Sequence, residues 1–104
     1  MIPPGTLDVL ILQTLTARAK MHGFEIAEGI RRGSQDVLRV EEGSLYPALH
    51  RMLMKGWLAA EWSKTGANHR ARYYRLTAAG KKQLAKELED YRTVARAIAR
   101  ILPA

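Results

Sequence analysis

Residues 42–52 read EGSLYPALHRM, residues 55–62 KGWLAAEW and residues 64–76 KTGANHRARYYRL. The first run sets Leu45, Leu49, Met52 and Leu53 on one helical stripe. Ser44 is its expected N-cap, Pro47 falls in the first turn, and Gly56 stops the helix after Lys55. The opposite side carries Ser44, Tyr46, Pro47, His50, Arg51 and Met54. A merely solvated face is usually richer in Glu, Lys and Gln, and Tyr46, Pro47 and Met54 gain little from water. The next two runs alternate as strands over Trp57–Trp62 and Ala71–Leu76, joined by a turn at Lys64–Arg70 that contains Gly66 and Asn68. Period-two alternation puts Arg72, Tyr74 and Leu76 on one face and Tyr73 and Arg75 on the other.

Upstream, Thr6 is the expected cap of a helix carrying Leu7, Leu10, Ile11 and Leu15 and ending near Ala17–Lys20. Gly23 opens a second helix with Phe24, Ala27 and Ile30 on its apolar face, closed by Gly33 and Ser34. His22 reads as a helix-boundary residue, and Val37–Val40 as a short strand fit for a single edge pairing. Downstream, Thr77 caps a last helix running to about Leu102. This order predicts a mainly α fold with a small β-hairpin. It is a winged helix-turn-helix DNA-binding domain over residues 1–78 with a long C-terminal dimerisation helix over 79–104, forming one compact unit.

The charge agrees with that placement. The chain carries a net +7, and residues 38–82 hold nine basic residues against three acids, whereas residues 1–37 sum to zero. A cationic excess concentrated on the helix and hairpin points to double-stranded DNA. Ser44, Tyr46, Pro47, His50 and Arg51 are the candidates for base readout, with packing of Tyr46 under the hairpin as its other role. Lys64, Asn68, His69, Arg70 and Arg72 are the candidates for holding phosphate or the minor groove, although one of the return-strand arginines, Arg72 or Arg75, would instead pair with Glu61 or cover an aromatic ring.

In the last helix Leu84, Leu88, Tyr91, Ala95, Ile98 and Leu102 follow one another at spacings of 4, 3, 4, 3 and 4. That is a heptad seam, on a helix of roughly 39 Å that a domain this small cannot cover by itself. A homodimer is expected. Trp62 and Tyr91 are candidate lining residues for a small aromatic effector. The chain has no cysteine, no histidine–carboxylate spacing for a metal and no nucleophile–base pair, so no metal, no cofactor and no enzymatic activity are expected. No apolar run reaches membrane-spanning length and no signal peptide is visible, so no membrane partner and a cytoplasmic location are expected.

Five runs together resemble a known family: GTLDVLILQTL (5–15), MHGFEIAEGI (21–30), VEEGSLYPALHRM (40–52), GWLAAEW (56–62) and RARYYRLTAAGKKQL (70–84). In this order they resemble the PadR-like transcriptional regulators, and most closely the short, acidobacterial-type members. The resemblance implies a winged-helix DNA-binding domain with a single dimerisation helix, and usually repression; the paired recognition helices of a dimer in turn predict a roughly palindromic operator. It implies that Tyr46 and Pro47 lie at the DNA, and that some relatives release DNA on binding phenolic acids or flat hydrophobic drugs. Tyr91 stands where a tryptophan is common in the family, which weakens a drug-stacking role. The rival readings are a ligand-responsive sensor built on the same dimer and a winged-helix protein–protein adaptor.

Overall fold

The computed structural model describes residues 2, 3, 5–66 and 69–103. The elements run α1 (Leu7–Thr14), β1 (Met21–His22), α2 (Gly23–Gly33), α3 (Glu42–Met54), β2 (Leu58–Gly66), β3 (His69–Leu76) and α4 (Ala78–Ile101). The three strands form one antiparallel sheet in the order β1-β3-β2. Ile11, Leu12, Ile26, Leu45, Leu49 and Met52 are fully buried, so the core is where α1, α2 and α3 meet. Leu58, Tyr74 and Leu84 close it from the hairpin base and from α4. Among the described residues, no helix is long and apolar enough to cross a membrane.

Several local expectations are corrected. Thr6 makes no side-chain cap, because its backbone is already right-handed helical and its hydroxyl donates to the Pro3 carbonyl at 2.6 Å. Helix α1 ends at Thr14, short of Ala17. The hydroxyls of Thr14 and Thr16 bond back to the carbonyls of Leu10 and Gln13, which competes with the helical ladder. The edge strand is Met21–His22, paired with Tyr74 and Tyr73, and not Val37–Val40. Gln35 and Asp36 both adopt left-handed φ, and the Leu38 N–H is engaged by Ser34 Oγ at 2.9 Å, so that segment crosses the core as irregular chain. The same corner is held by Arg31, which bonds both Glu28 and Asp36, and those hydrogen bonds from Arg31 hold the Glu28 carboxyl below its ordinary range.

Phe24 is 68 % exposed rather than inward, since helix α2 starts at Gly23 and buries Gly23, Ile26 and Ile30. Helix α3 begins three residues early. Its N-cap is Glu41, whose carbonyl accepts from both Ser44 and Leu45, so Ser44 lies within the first turn and Pro47 in the second. Glu41 and Glu42 favour this start by standing at the positive end of the helix. Pro47 has no N–H for the Gly43 carbonyl, and the ladder lacks a bond there. Ala48 joins Leu45, Leu49 and Met52 in the core, whereas Leu53 is half-buried.

The hairpin is longer than expected, because cross-strand pairing continues through Lys64↔Arg70 to Gly66↔His69, with an irregularity between Lys64 and Gly66. Thr77 caps α4 as expected, accepting from the Gly80 N–H at 3.0 Å. Its hydroxyl also donates to the Gly56 carbonyl at 2.6 Å, and its N–H donates to the Trp57 carbonyl at 3.1 Å. Gly80 rests directly on the chain just before β2: a Cβ there would stand 2.0 Å from the Trp57 carbonyl oxygen. Gly80→Ala should therefore destabilise the chain by about 2 kcal/mol in chemical denaturation. Backbone overlap of this kind typically costs about 1–3 kcal/mol, and alanine's better helix propensity offsets at most about 1 kcal/mol of it.

Candidate nucleic-acid interface

With Leu45, Ala48, Leu49 and Met52 turned inward, α3 presents Pro47, His50 and Met54 directly outward. Tyr46 and Ser44 lie on opposite flanks of that face. The Tyr46 ring, 46 % exposed, leans on the start of α2, where a Cβ on Gly23 would meet its OH, Cε1 and Cζ at 2.7–2.9 Å. The start of α2 is itself fixed by a capping box. His22 Nδ1 accepts from the Glu25 N–H at 3.4 Å, and Glu25 Oε1 accepts from the His22 N–H at 3.1 Å. His22 is thus the helix-boundary residue its sequence position suggests.

Arg51 is placed differently from the other expected readers. Both of its terminal nitrogens donate to Asp8 on α1, at 2.6 and 2.7 Å, and those hydrogen bonds hold its guanidinium still more firmly in the charged form. It points towards α1 and α4 and shares a cleft with Asp8, Ser44, Pro47 and Glu87.

On the hairpin, one face carries Leu58, Ala60, Trp62 and Lys64 opposite Leu76, Tyr74, Arg72 and Arg70. This face runs from the core to the far end. Burial of Tyr74 pushes its phenol above the usual tyrosine range, whereas Trp62 is 60 % exposed. The Arg70 guanidinium lies 5.8 Å from the Trp62 ring centre, and that of Arg72 lies 6.0 Å from Tyr74. Both arginines therefore cover aromatics. Glu61 pairs with Lys20 at 3.2 Å on the other face, where Lys20 and His22 also touch the Tyr73 ring. Among the described residues, Lys64, His69, Arg70, Arg72 and Arg75 form no ion pair. Asn68 lies outside the described residues.

The two surfaces meet across an open cleft lined by Phe24, Tyr46, Trp62, Arg70 and Arg72, with Gly23 and Ala71 among its walls. It joins α3, the start of α2 and the hairpin in one basic and aromatic concavity suited to a sugar–phosphate backbone. Sequence reasoning missed Phe24, which it placed inward. It also missed Asp8, whose partner is 43 residues away and leaves no local signal. The Gly23–Tyr46 contact was equally invisible, although the His-x-x-Glu spacing at 22–25 is the readable half of that arrangement.

Trp62 and Tyr91 do not share a pocket. Trp62 lies in the cleft just described, and Tyr91 lines a separate apolar cleft of ≈ 340 Å³ with Val9, Leu10, Leu38 and Leu88 between α1 and α4. The seam on α4 is also divided. Leu84 is buried in the chain's own core and Leu88 packs against it, whereas Tyr91, Val94, Ile98, Ile101 and Leu102 are exposed and Ala95 is half-covered. No group of three or more His, Cys, Asp or Glu that could hold a metal occurs among the described residues.

Comparison with known proteins gives a concordant result. The family described as the transcriptional regulator PadR-like family matches residues 11–86. A transcriptional regulator from Clostridium thermocellum superposes with a TM-score of 0.87 at 25 % identity, covering 95 % of each chain. A PadR family transcription regulator from Clostridium difficile superposes with a TM-score of 0.77 at 27 % identity, covering 94 % of this chain and 99 % of that one. An uncharacterized protein of Lysinibacillus sphaericus is 26 % identical over 90 residues, or 86 % of this chain and 82 % of its own length.

Gly23→Ala tests the Tyr46 placement. The added methyl should displace the flexible end of the Tyr46 side chain rather than backbone, leaving stability within about 1 kcal/mol of the parent. DNA affinity should fall as far as it does in Tyr46→Ala. Unchanged affinity in Gly23→Ala would show that the seat of the Tyr46 ring is immaterial to binding.

Proposed function

Because this chain belongs to the PadR-like family of transcriptional regulators, and is a DNA-binding regulator rather than an enzyme, we propose that it acts as a homodimeric repressor on a palindromic operator. The observation that carries the dimer is the apolar second half of α4. The helix is about 36 Å long at 1.5 Å per residue, the described residues extend 53 × 29 × 22 Å, and Tyr91, Val94, Ile98, Ile101 and Leu102 stand uncovered on the half beyond the core. A second copy would bury that stripe along the same heptad. In this reading residues 79–104 are the pairing helix and residues 1–78 the DNA-binding domain, working as one unit.

Two copies of α3 would then enter successive major grooves, about 34 Å apart. Tyr46, Pro47 and His50 supply base contacts, with Ser44 at the edge of the face. Lys64, His69, Arg70 and Arg72, with Asn68, hold the backbone or minor groove. Repression follows where the operator overlaps a promoter. A second reading adds an effector, favoured by the apolar cleft at Leu10, Leu88 and Tyr91. A small apolar or aromatic molecule there would change the spacing of the two α3 helices.

Selection of bound duplexes from a random DNA pool, followed by titration at several salt concentrations, tests the interface. Arg70→Ala should weaken binding to every duplex and lower the slope of log affinity against log salt by about one, whereas His50→Ala should change the ranking among duplexes. Equal binding by Arg70→Ala at every salt concentration would remove the hairpin from the interface. For the dimer, Ile98→Glu should sediment at half the mass of the parent and lose binding to the full palindrome. A parent chain that sediments as a monomer at all concentrations would end the dimeric reading.

A further inference from the structure

Arg51 stands on α3 among the expected DNA readers, yet the contacts it makes run the other way. Among the described residues, its bidentate bridge to Asp8 supplies the one ion pair and the only two side-chain hydrogen bonds that join α3 to another element. The bridge is made from the last turn of α3, one turn after Pro47, whose missing N–H leaves the Gly43 carbonyl without its ladder partner. Asp8 sits on the first turn of α1, beside Val9 and Leu10, and those two residues form the apolar cleft with Leu88 and Tyr91 of α4. A second carboxylate, Glu87 of α4, lines the cleft that holds Asp8 and Arg51, and Gln83 donates to it at 3.1 Å.

We infer that Arg51 is a positioning residue: its two-point grip on Asp8 sets the angle at which α3 is presented to DNA and ties that angle to the packing of α1 on α4. A guanidinium fork on a carboxylate fixes orientation as well as distance. The bridge is partly exposed, at 46 % for Arg51 and 20 % for Asp8, and adds little to overall stability, so its effect lies in the pose of α3. Glu87 lines the same cleft but is bonded by Gln83, so Asp8 alone holds the guanidinium. The inference rests on the DNA-binding role of α3 proposed above.

The test uses the full chain with Asp8→Asn, Asp8→Glu and Arg51→Ala, titrated against a selected duplex at several salt concentrations. Stoichiometric titration gives the active fraction of each variant, which separates a change of affinity from a loss of folded protein. Asp8→Asn should weaken binding roughly three- to thirtyfold with an unchanged salt slope. Arg51→Ala should do the same, and Asp8→Glu should recover most of the affinity. The sign is the discriminating point, because removal of an acid that merely repelled phosphate would strengthen binding. Equal or tighter binding by Asp8→Asn overturns the inference. So does a salt slope lowered by about one in Arg51→Ala, since Arg51 would then be neutralising a phosphate. A wild-type chain that bound no DNA would instead overturn the underlying reading, and this inference with it.

Discussion

The contact on which the rest of the molecule depends is the close approach of α4 to the base of the hairpin. The Trp57 carbonyl accepts from the Thr77 N–H, the Thr77 hydroxyl bonds the Gly56 carbonyl and caps α4, and Gly80 lets the first turn of α4 touch the Trp57 backbone just before β2. Four residues thereby fix both where α4 starts and the direction in which it leaves. From that start Leu84 and Leu88 fall on the core and the residues from Tyr91 onward run clear of it. The same contact holds the lower end of β2, so hairpin and helix share one foundation.

A division of labour among the cations follows from the packing. Arg31, Arg32 and Arg39 are bound to Glu28 and Asp36 around the α2–α3 corner, Lys20 to Glu61, Arg18 to Glu25 and Arg51 to Asp8. The cations of the hairpin lie over aromatic rings or stand in solvent. A guanidinium over a ring keeps its charge and its outer donors available, whereas one locked in a carboxylate fork does not. The hairpin face that looks across the cleft at Tyr46 thus gathers three cations free of carboxylate partners among the described residues, Lys64, Arg70 and Arg72.

Legibility in the sequence followed range. The Thr77 cap, the Gly23 start of α2 and the alternation of the hairpin are local, and each is readable from a few neighbouring residues. The start of α3 was misplaced because Ser44 is the better cap by side-chain type, while backbone closure on Glu41 decided the outcome. The strand at Met21–His22 was unreadable, since two residues carry no periodicity and their extension is imposed by Tyr73 and Tyr74. Side-chain type alone groups Arg51 with the DNA readers, and its bridge to a residue 43 positions away leaves no local signal. Trp62 and Tyr91 could be paired on chemistry alone, but topology sends them to different clefts.

The two-residue strand β1 has a mechanical consequence. It joins the start of α2 to the middle of β3 at Tyr73 and Tyr74, while Tyr46 leans on that same start from α3. Hairpin and α3 are thus braced through one junction and cannot swing independently without breaking the sheet pairing or moving the ring. The span between them works as a calliper of fixed opening. On the proposed reading, a duplex whose groove width already matches that opening binds with less deformation than one that must be bent to fit, so base pairs that no side chain touches still contribute to the choice of site.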